Sequence, residues 1–159
     1  MISFHPYISS YRQDFYDLNK SWLKKLFLLE PYDEFVLSNP KIAILDKGGY
    51  IFMGKLDGNI VATFALTPSS EGVYELNKMA VHEPLRGKGL GNKIMEFLLM
   101  FASKKNIKVI ELYSNKQLKN AIHLYVKYGF VEVDITDDNP YKRADIKMAR
   151  TLHPVSVSN

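Results

Sequence analysis

The chain has no cysteine among its 159 residues. That single absence removes disulfide frameworks, thiolate metal sites and cysteine nucleophiles. An acyl group handled by such a chain passes directly from donor to acceptor or through a Ser or carboxylate, and direct attack in a ternary complex is the simpler route. The four histidines, His5, His82, His123 and His153, show no metal-ligand spacing, so no metal is expected. Long apolar runs are missing as well: none approaches the roughly 18 residues of a membrane span. The N-terminus MISFHPYISS lacks the basic-then-apolar pattern of an export signal. A cytoplasmic protein with no membrane partner is the expectation. Repeats and low-complexity segments are also absent.

What remains is the composition of a packed globular domain, 47% hydrophobic and 13% aromatic. The length suits one domain with a true core, expected over residues 1–152, with 153–159 as a disordered tail. The net charge is +4, and from Arg86 to Lys105 the chain holds five basic residues against Glu96. No zinc-finger spacing, helix-turn-helix signature or RNA-recognition aromatic motif accompanies that excess, so a polyanionic cofactor is a better partner for it than nucleic acid.

Periodicity divides the chain as follows. Ile2–Tyr7 alternates and suits an edge strand. Apolar residues at three- and four-residue intervals from Tyr11 to Phe27 mark a helix with one buried face, and Leu29–Leu37 suits a second helix closed by Asn39-Pro40. Lys41–Leu45 and Tyr50–Leu56 read as strands. Asp57-Gly58 supplies a type I′ hairpin turn into Ile60–Leu66. Strand Tyr74–Val81, a helix to about Lys105 and strand Val109–Tyr113 follow, the two strands parallel through a right-handed crossover. A further helix ends at Gly129 as its C′ glycine, a strand begins at Phe130, and Tyr141–Leu152 returns as the last strand.

The chemistry concentrates between Tyr74 and Phe101. A strand ending Met79-Ala80-Val81 runs through Pro84 into a loop with Gly87, Gly89 and Gly91, and then into an amphipathic helix. A helix N-terminus offers unpaired N–H groups and partial positive charge. Glycines let that backbone close around an anion, and Arg86 and Lys88 add charge at the rim. The expected anion is a diphosphate. A dinucleotide fingerprint fails because Asn92 stands where its last Gly belongs, and no P-loop sequence occurs. The arrangement R-x-x-G-x-G, Arg86, Gly89 and Gly91, resembles motif A of the GCN5-related N-acetyltransferases. A second segment, Asn120–Phe130, NAIHLYVKYGF, resembles the A-x-x-L-Y-x-K-x-G-F segment of the same family. Both lie in the family's order, and the resemblance covers roughly Tyr50 to Leu152.

The resemblance implies an α/β (α+β) fold: a mixed, mostly antiparallel twisted sheet flanked by helices, with a central parallel strand pair splayed to hold CoA. It implies an N-acetyltransferase that moves an acetyl group from acetyl-CoA to a primary amine, and the acidic residues Glu30, Asp33 and Glu34 favour a small cationic amine or a protein amine as the acceptor. The cofactor would lie on Met79, Ala80, Val81, Arg86, Gly87, Lys88, Gly89, Leu90, Gly91 and Tyr125, with pantetheine adding to the splayed strands. The family's pantetheine Asn, seven residues before the helix tyrosine, falls at Leu118 here. Asn115 is the candidate substitute, and a plain strand-capping Asn is the alternative.

Acetyl transfer needs a base, an oxyanion donor and an acid for the thiolate. Tyr125 matches the family's general-acid tyrosine. Glu75 matches the glutamate base of the family's histone acetyltransferases, and on a period-2 strand it shares a face with Asn77 and Met79 unless a bulge changes the phase. A water relay to Glu30 or Asp33 is the competing route. A backbone N–H near Met79–Val81 is the implied oxyanion donor. The acidic trio Glu30, Asp33 and Glu34 is either a solvated helix face or an attractor of a cationic amine, and Tyr141 and Arg143 are candidates to touch the acceptor. A non-catalytic acyl-CoA sensor and an interaction domain are the rival readings. An exposed strand leaves a homodimer open.

Overall fold

The N-terminal strand β1 (Ser3–Pro6) lies at the edge of a seven-stranded sheet and pairs antiparallel with β2 (Tyr50–Leu56). The computed structural model describes residues 1–27 and 29–152, so the expected tail at 153–159 lies outside the described residues. Asp57 and Gly58, both at positive φ, turn β2 into β3 (Asn59–Ser70) as the Asp-Gly pair requires. β4 (Val73–Val81), β5 (Val109–Ser114), β6 (Val131–Val133) and β7 (Ile146–Thr151) complete the order β1-β2-β3-β4-β5-β7-β6. β4 and β5 are parallel, and every other neighbouring pair is antiparallel.

Two apolar clusters cover the two faces. On one, the buried stripe Ile94, Met95, Leu98 and Ala102 of α4 (Leu90–Lys104) packs on Phe52, Phe64, Leu76 and Ile110, with Leu124 and Tyr125 of α5 (Lys119–Lys127) beside it. On the other, Phe15 and Leu23 of α1 (Arg12–Leu26) and Val36 and Leu37 of α2 (Pro31–Ser38) cover Ile51, Met53 and Ala65. Each fully buried Leu, Ile, Met or Phe contributes roughly 1.5–3 kcal/mol over leaving it exposed. These stripes hold the helices to the sheet.

Two expectations are corrected. Lys41–Leu45 is not a strand: Pro40, at the first helical position, opens the short helix α3 (Pro40–Ala43), followed by a 3₁₀ turn at Leu45–Lys47. A four-residue apolar run fits a buried helical turn as well as a strand, and the proline decides. The final strand begins at Ile146, not Tyr141, because an Ala144 N–H to Tyr141 C=O bond (3.2 Å) folds the preceding residues into a turn.

Candidate active site

The parallel pairing of β4 and β5 lasts three residues, Val73 with Val109, Tyr74 with Ile110 and Glu75 with Glu111. Beyond Glu75 the strands part. Leu76–Val81 keeps its partner β3 on one side, while the edge toward β5 is left open to a ligand. The parting coincides with a bulge: Thr63 pairs with Ala80 and Ala65 with Asn77, so Lys78 and Met79 together oppose Phe64. Lys78 takes the strain with a φ of 50°, in a left-handed conformation uncommon for a side chain of this kind. The bulge changes the strand's phase, and Glu75 and Lys78 reach the same cluster of side chains.

A cavity of about 870 Å³ occupies the fork. Its walls come from both faces of the sheet: Leu90, Gly91, Leu124 and Tyr125 on the α4/α5 side, Trp22, Leu23 and Leu26 on the α1 side. It therefore passes through the sheet between β4 and β5. Of the residues the sequence singled out, Glu75, Met79–Val81, Arg86, Gly87, Gly89, Leu90, Gly91, Asn115, Tyr125, Tyr141 and Arg143 line it. Lys88 is exposed and does not, and neither do Glu30 and Asp33.

At the α4 end, Gly89 caps the helix with φ 83° and Gly87 has φ 77°, conformations that glycine adopts without penalty. Gly91 has another reason to be glycine. It lies within the first turn of α4, and a Cβ there would meet Leu124 Cδ2 at 2.9 Å, so its lack of a side chain lets α5 approach. Arg86 Nε donates to the Val81 carbonyl (3.0 Å), and the His82 N–H bonds to Val61 on β3 (2.7 Å). By the alternation of an extended strand, the N–H groups of Met79 and Val81 then point away from β3 and into the fork. Asn92, which breaks the dinucleotide fingerprint, accepts from Lys127 Nζ (2.7 Å) and Tyr128 Oη (3.0 Å), tying α4 to α5.

Tyr125 is fixed by the end of its own helix. Phe130 N–H bonds to Tyr125 C=O and Gly129 N–H to Val126 C=O, both at 3.0 Å, with Gly129 at φ 88°. This is a Schellman motif, and its accompanying apolar contact is Phe130 against Tyr125, ring centroids 5.9 Å apart. Burial pushes the Tyr125 phenol up to about 12, so the ring carries its proton throughout the ordinary pH range.

Glu75 Oε2 accepts from Tyr141 Oη (2.8 Å) and from Asn77 Nδ2 (2.9 Å). Burial raises its pKa; the bonds from Tyr141 and Asn77 and the charge of Lys78 pull the other way, and neighbouring Glu111 adds to the rise. The net direction is upward, toward the range in which a carboxylate can serve as a base. Burial and the adjacent Glu75 push Tyr141 well above its ordinary value.

Beneath this pair lies a network the sequence did not announce. Lys78 Nζ lies 2.8 Å from Asp33 Oδ1, with both side chains almost wholly buried. Arg143 grips the same carboxylate through two nitrogens and reaches Glu30 Oε2 at 3.2 Å. Glu30 also accepts from the Lys142 and Arg143 N–H groups, while its own N–H bonds to Asp33 Oδ2 (3.0 Å) at the start of α2. Burial alone would raise Asp33; the Arg143 hydrogen bonds and the Lys78 ammonium overcome it and hold the carboxyl below its ordinary value. Burial lowers Lys78 despite Asp33. The expectation that Glu30 and Asp33 face the cleft to draw in a cation is thus corrected: these charges are used to pin α2 to β4 and the 139–145 loop. Asn115 likewise spends its amide on structure, Nδ2 donating to Arg143 C=O (2.7 Å) and Oδ1 accepting from Gln117 N–H (2.9 Å).

The sequence profile of the acetyltransferase (GNAT) family matches residues 10–130. The chain belongs to that family. An uncharacterized N-acetyltransferase of Methanocaldococcus jannaschii is 29% identical over 63 residues, 40% of this chain and 28% of the relative, so the match spans under a third of that protein's length. A GNAT-family acetyltransferase from Staphylococcus aureus Mu50 shares the fold with a TM-score of 0.85 and 24% identity over 96% of this chain and 100% of that one. A GNAT acetyltransferase from Elizabethkingia anophelis, solved with acetyl-CoA bound, superposes with a TM-score of 0.66 and 21% identity over 95% and 98% of the two chains. In this GNAT chain, no helix among the described residues is long and apolar enough to cross a membrane. No group of three or more His, Cys, Asp or Glu side chains is gathered among them as metal ligands would be.

Proposed function

We propose that the chain transfers an acetyl group from acetyl-CoA to a primary amine by direct attack in a ternary complex. The observation that carries this reading is the position of Glu75 at the last paired residue of β4 and β5, where the cavity crosses the sheet. A thioester laid along the open edge of β4 from the glycine loop extends toward that fork, its carbonyl against a backbone N–H near Met79–Val81. An amine entering from the α1 face meets it there.

In this mechanism the diphosphate of acetyl-CoA sits on the N–H groups of Gly87–Gly91, with Arg86 supplying charge. Pantetheine adds to the open edge of β4 as an extra strand would. Glu75 takes a proton from the acceptor ammonium, directly or through water, so that the nitrogen lone pair can attack the thioester carbon. The N–C bond forms, and a backbone N–H near Met79–Val81 stabilises the developing oxyanion. As the C–S bond breaks, Tyr125 donates to the departing thiolate, the second proton of the attacking nitrogen passes through solvent to restore the phenol, and the proton held by Glu75 leaves to solvent. The products are an amide, free CoA thiol and one proton released to solvent.

The decisive experiment is thiol release from acetyl-CoA in the presence of primary amines, with wild type and Glu75→Gln. Amine-dependent release that falls in the variant supports the reading. Equal release in both removes Glu75 from the mechanism. Acetyl-CoA binding without amine-dependent release in either protein would favour a non-catalytic acyl-CoA sensor.

A further inference from the structure

We infer that the acceptor is a primary amine carrying an uncharged apolar arm, seated with its nitrogen at Glu75 and its arm against Trp22, Leu23 and Leu26. This inference rests on the acetyl-transfer reading above and narrows it to a substrate class.

The wall facing the acceptor is built by the C-terminal half of α1. Trp22, Leu23 and Leu26 line the cavity on the side of the sheet opposite the glycine loop. Leu26 is 49% exposed, so an apolar ligand would cover surface that otherwise meets water.

Charge argues the same way. Glu75 is the single carboxylate among the described residues lining the cavity. Asp33 is fully buried and neutralised by Lys78 and Arg143, and Glu30 is held by Arg143 and two backbone N–H groups. Glu34 is turned to Tyr16 Oη (2.8 Å) and Ser38 Oγ (3.2 Å). A polyamine would therefore set its second ammonium against Trp22, Leu23 and Leu26 without a counter-charge, a cost wherever binding takes that group out of water. An amino acid fares no better. The cations at this end among the described residues, Lys78 and Arg143, are already paired with Asp33 and Glu30, and among those residues no other positive charge lines this end for an acceptor carboxylate. Uncharged apolar surface is what the site accommodates without such a cost.

The test compares 2-phenylethylamine, ethylamine, putrescine and glycine as acceptors in a thiol-release assay, with acetyl-CoA binding measured in parallel by calorimetry. The inference predicts kcat/KM for 2-phenylethylamine at least about tenfold above ethylamine, the discrimination an apolar pocket ordinarily gives, with putrescine and glycine below both. A Leu26→Asp variant, altered at a half-exposed position, should lose activity toward 2-phenylethylamine and gain it toward putrescine. Preference for putrescine or glycine, indifference to the apolar arm, or no turnover of 2-phenylethylamine by protein that binds acetyl-CoA would overturn the inference while leaving the cofactor reading intact. Failure to bind acetyl-CoA would overturn the transfer reading itself, and this inference with it.

Discussion

Tyr141 Oη donates a 2.8 Å hydrogen bond to Glu75 Oε2, and Lys78 Nζ lies 5.0 Å from the centre of the same tyrosine ring. One side chain from the loop before β7 thus joins the carboxylate at the fork to the buried ion network beneath it. Glu75 is held in place by the 139–145 loop, which Arg143 anchors to α2.

Removing that hydrogen bond should shift the pH profile. The Tyr141 bond favours the charged form of Glu75 and opposes the effect of burial. Tyr141→Phe should therefore raise the Glu75 pKa further. Because the proposed base works as the carboxylate, activity is lost as pH falls through that pKa, and the acid limb of kcat/KM should move to higher pH. A limb that stays in place, measured over the pH range in which the protein remains folded, would contradict the coupling.

Glu75→Gln should lower kcat by roughly 10²–10⁴, the usual contribution of a positioned general base. Affinity for acetyl-CoA should change little, since the glycine loop is untouched. Steady-state kinetics and calorimetry on the same preparation separate the two quantities.

Tyr125 should behave as a proton donor that does not itself titrate near neutrality. With its phenol at about 12, no inflection of the wild-type profile between about pH 6 and 10 should belong to it. Tyr125→Phe should reduce kcat while leaving the acid limb where Glu75 sets it. A displaced acid limb in that variant would mean that the tyrosine acts through the base.

The buried pair makes a stability prediction. Replacing Asp33 by Ala leaves buried Lys78 and neighbouring Arg143 without the carboxylate they share, a change that ordinarily costs about 3–5 kcal/mol; urea unfolding at neutral pH measures it. Asp33 sits below its ordinary pKa in the folded protein. Its stabilising contribution is therefore present above the unfolded carboxylate value of about 3.9 and lost as pH falls through the folded value. The stability difference between wild type and Asp33→Ala should narrow in acid. A difference that is small and independent of pH would contradict the role given to this pair.

Much of this architecture was legible in the sequence because local chemistry decided it. Asp57-Gly58 specified its turn, Gly129 ended its helix, and the spacing of Arg86, Gly89 and Gly91 marked a loop that enters a helix. The α4 stripe is periodic and all of it is buried. The errors had two sources, a segment too short for its pattern and partners distant in the chain. Lys41–Leu45 is too short for its apolar pattern to distinguish strand from helix. Asp33 reads as one more acid on a helix surface, and only the fold brings Lys78, 45 residues later, and Arg143, 110 residues later, against it. The left-handed backbone of Lys78 leaves no trace in composition. A lone lysine two residues from Leu76 on one side and from Ala80 on the other was the available signal, and it gives no indication of its partner. The contact of Gly91 with Leu124, where an added Cβ would come within 2.9 Å of Cδ2, was not legible in the sequence.

The most direct test of the central claim is calorimetric titration of the protein with acetyl-CoA, beside an Arg86→Ala, Gly89→Asp double variant whose fold is checked by circular dichroism. Binding in the submicromolar to tens-of-micromolar range, lost in the folded variant, is the predicted result. Absence of wild-type binding at millimolar acetyl-CoA, or equal binding by the variant, would contradict the assignment of the cofactor to the Arg86–Gly91 loop.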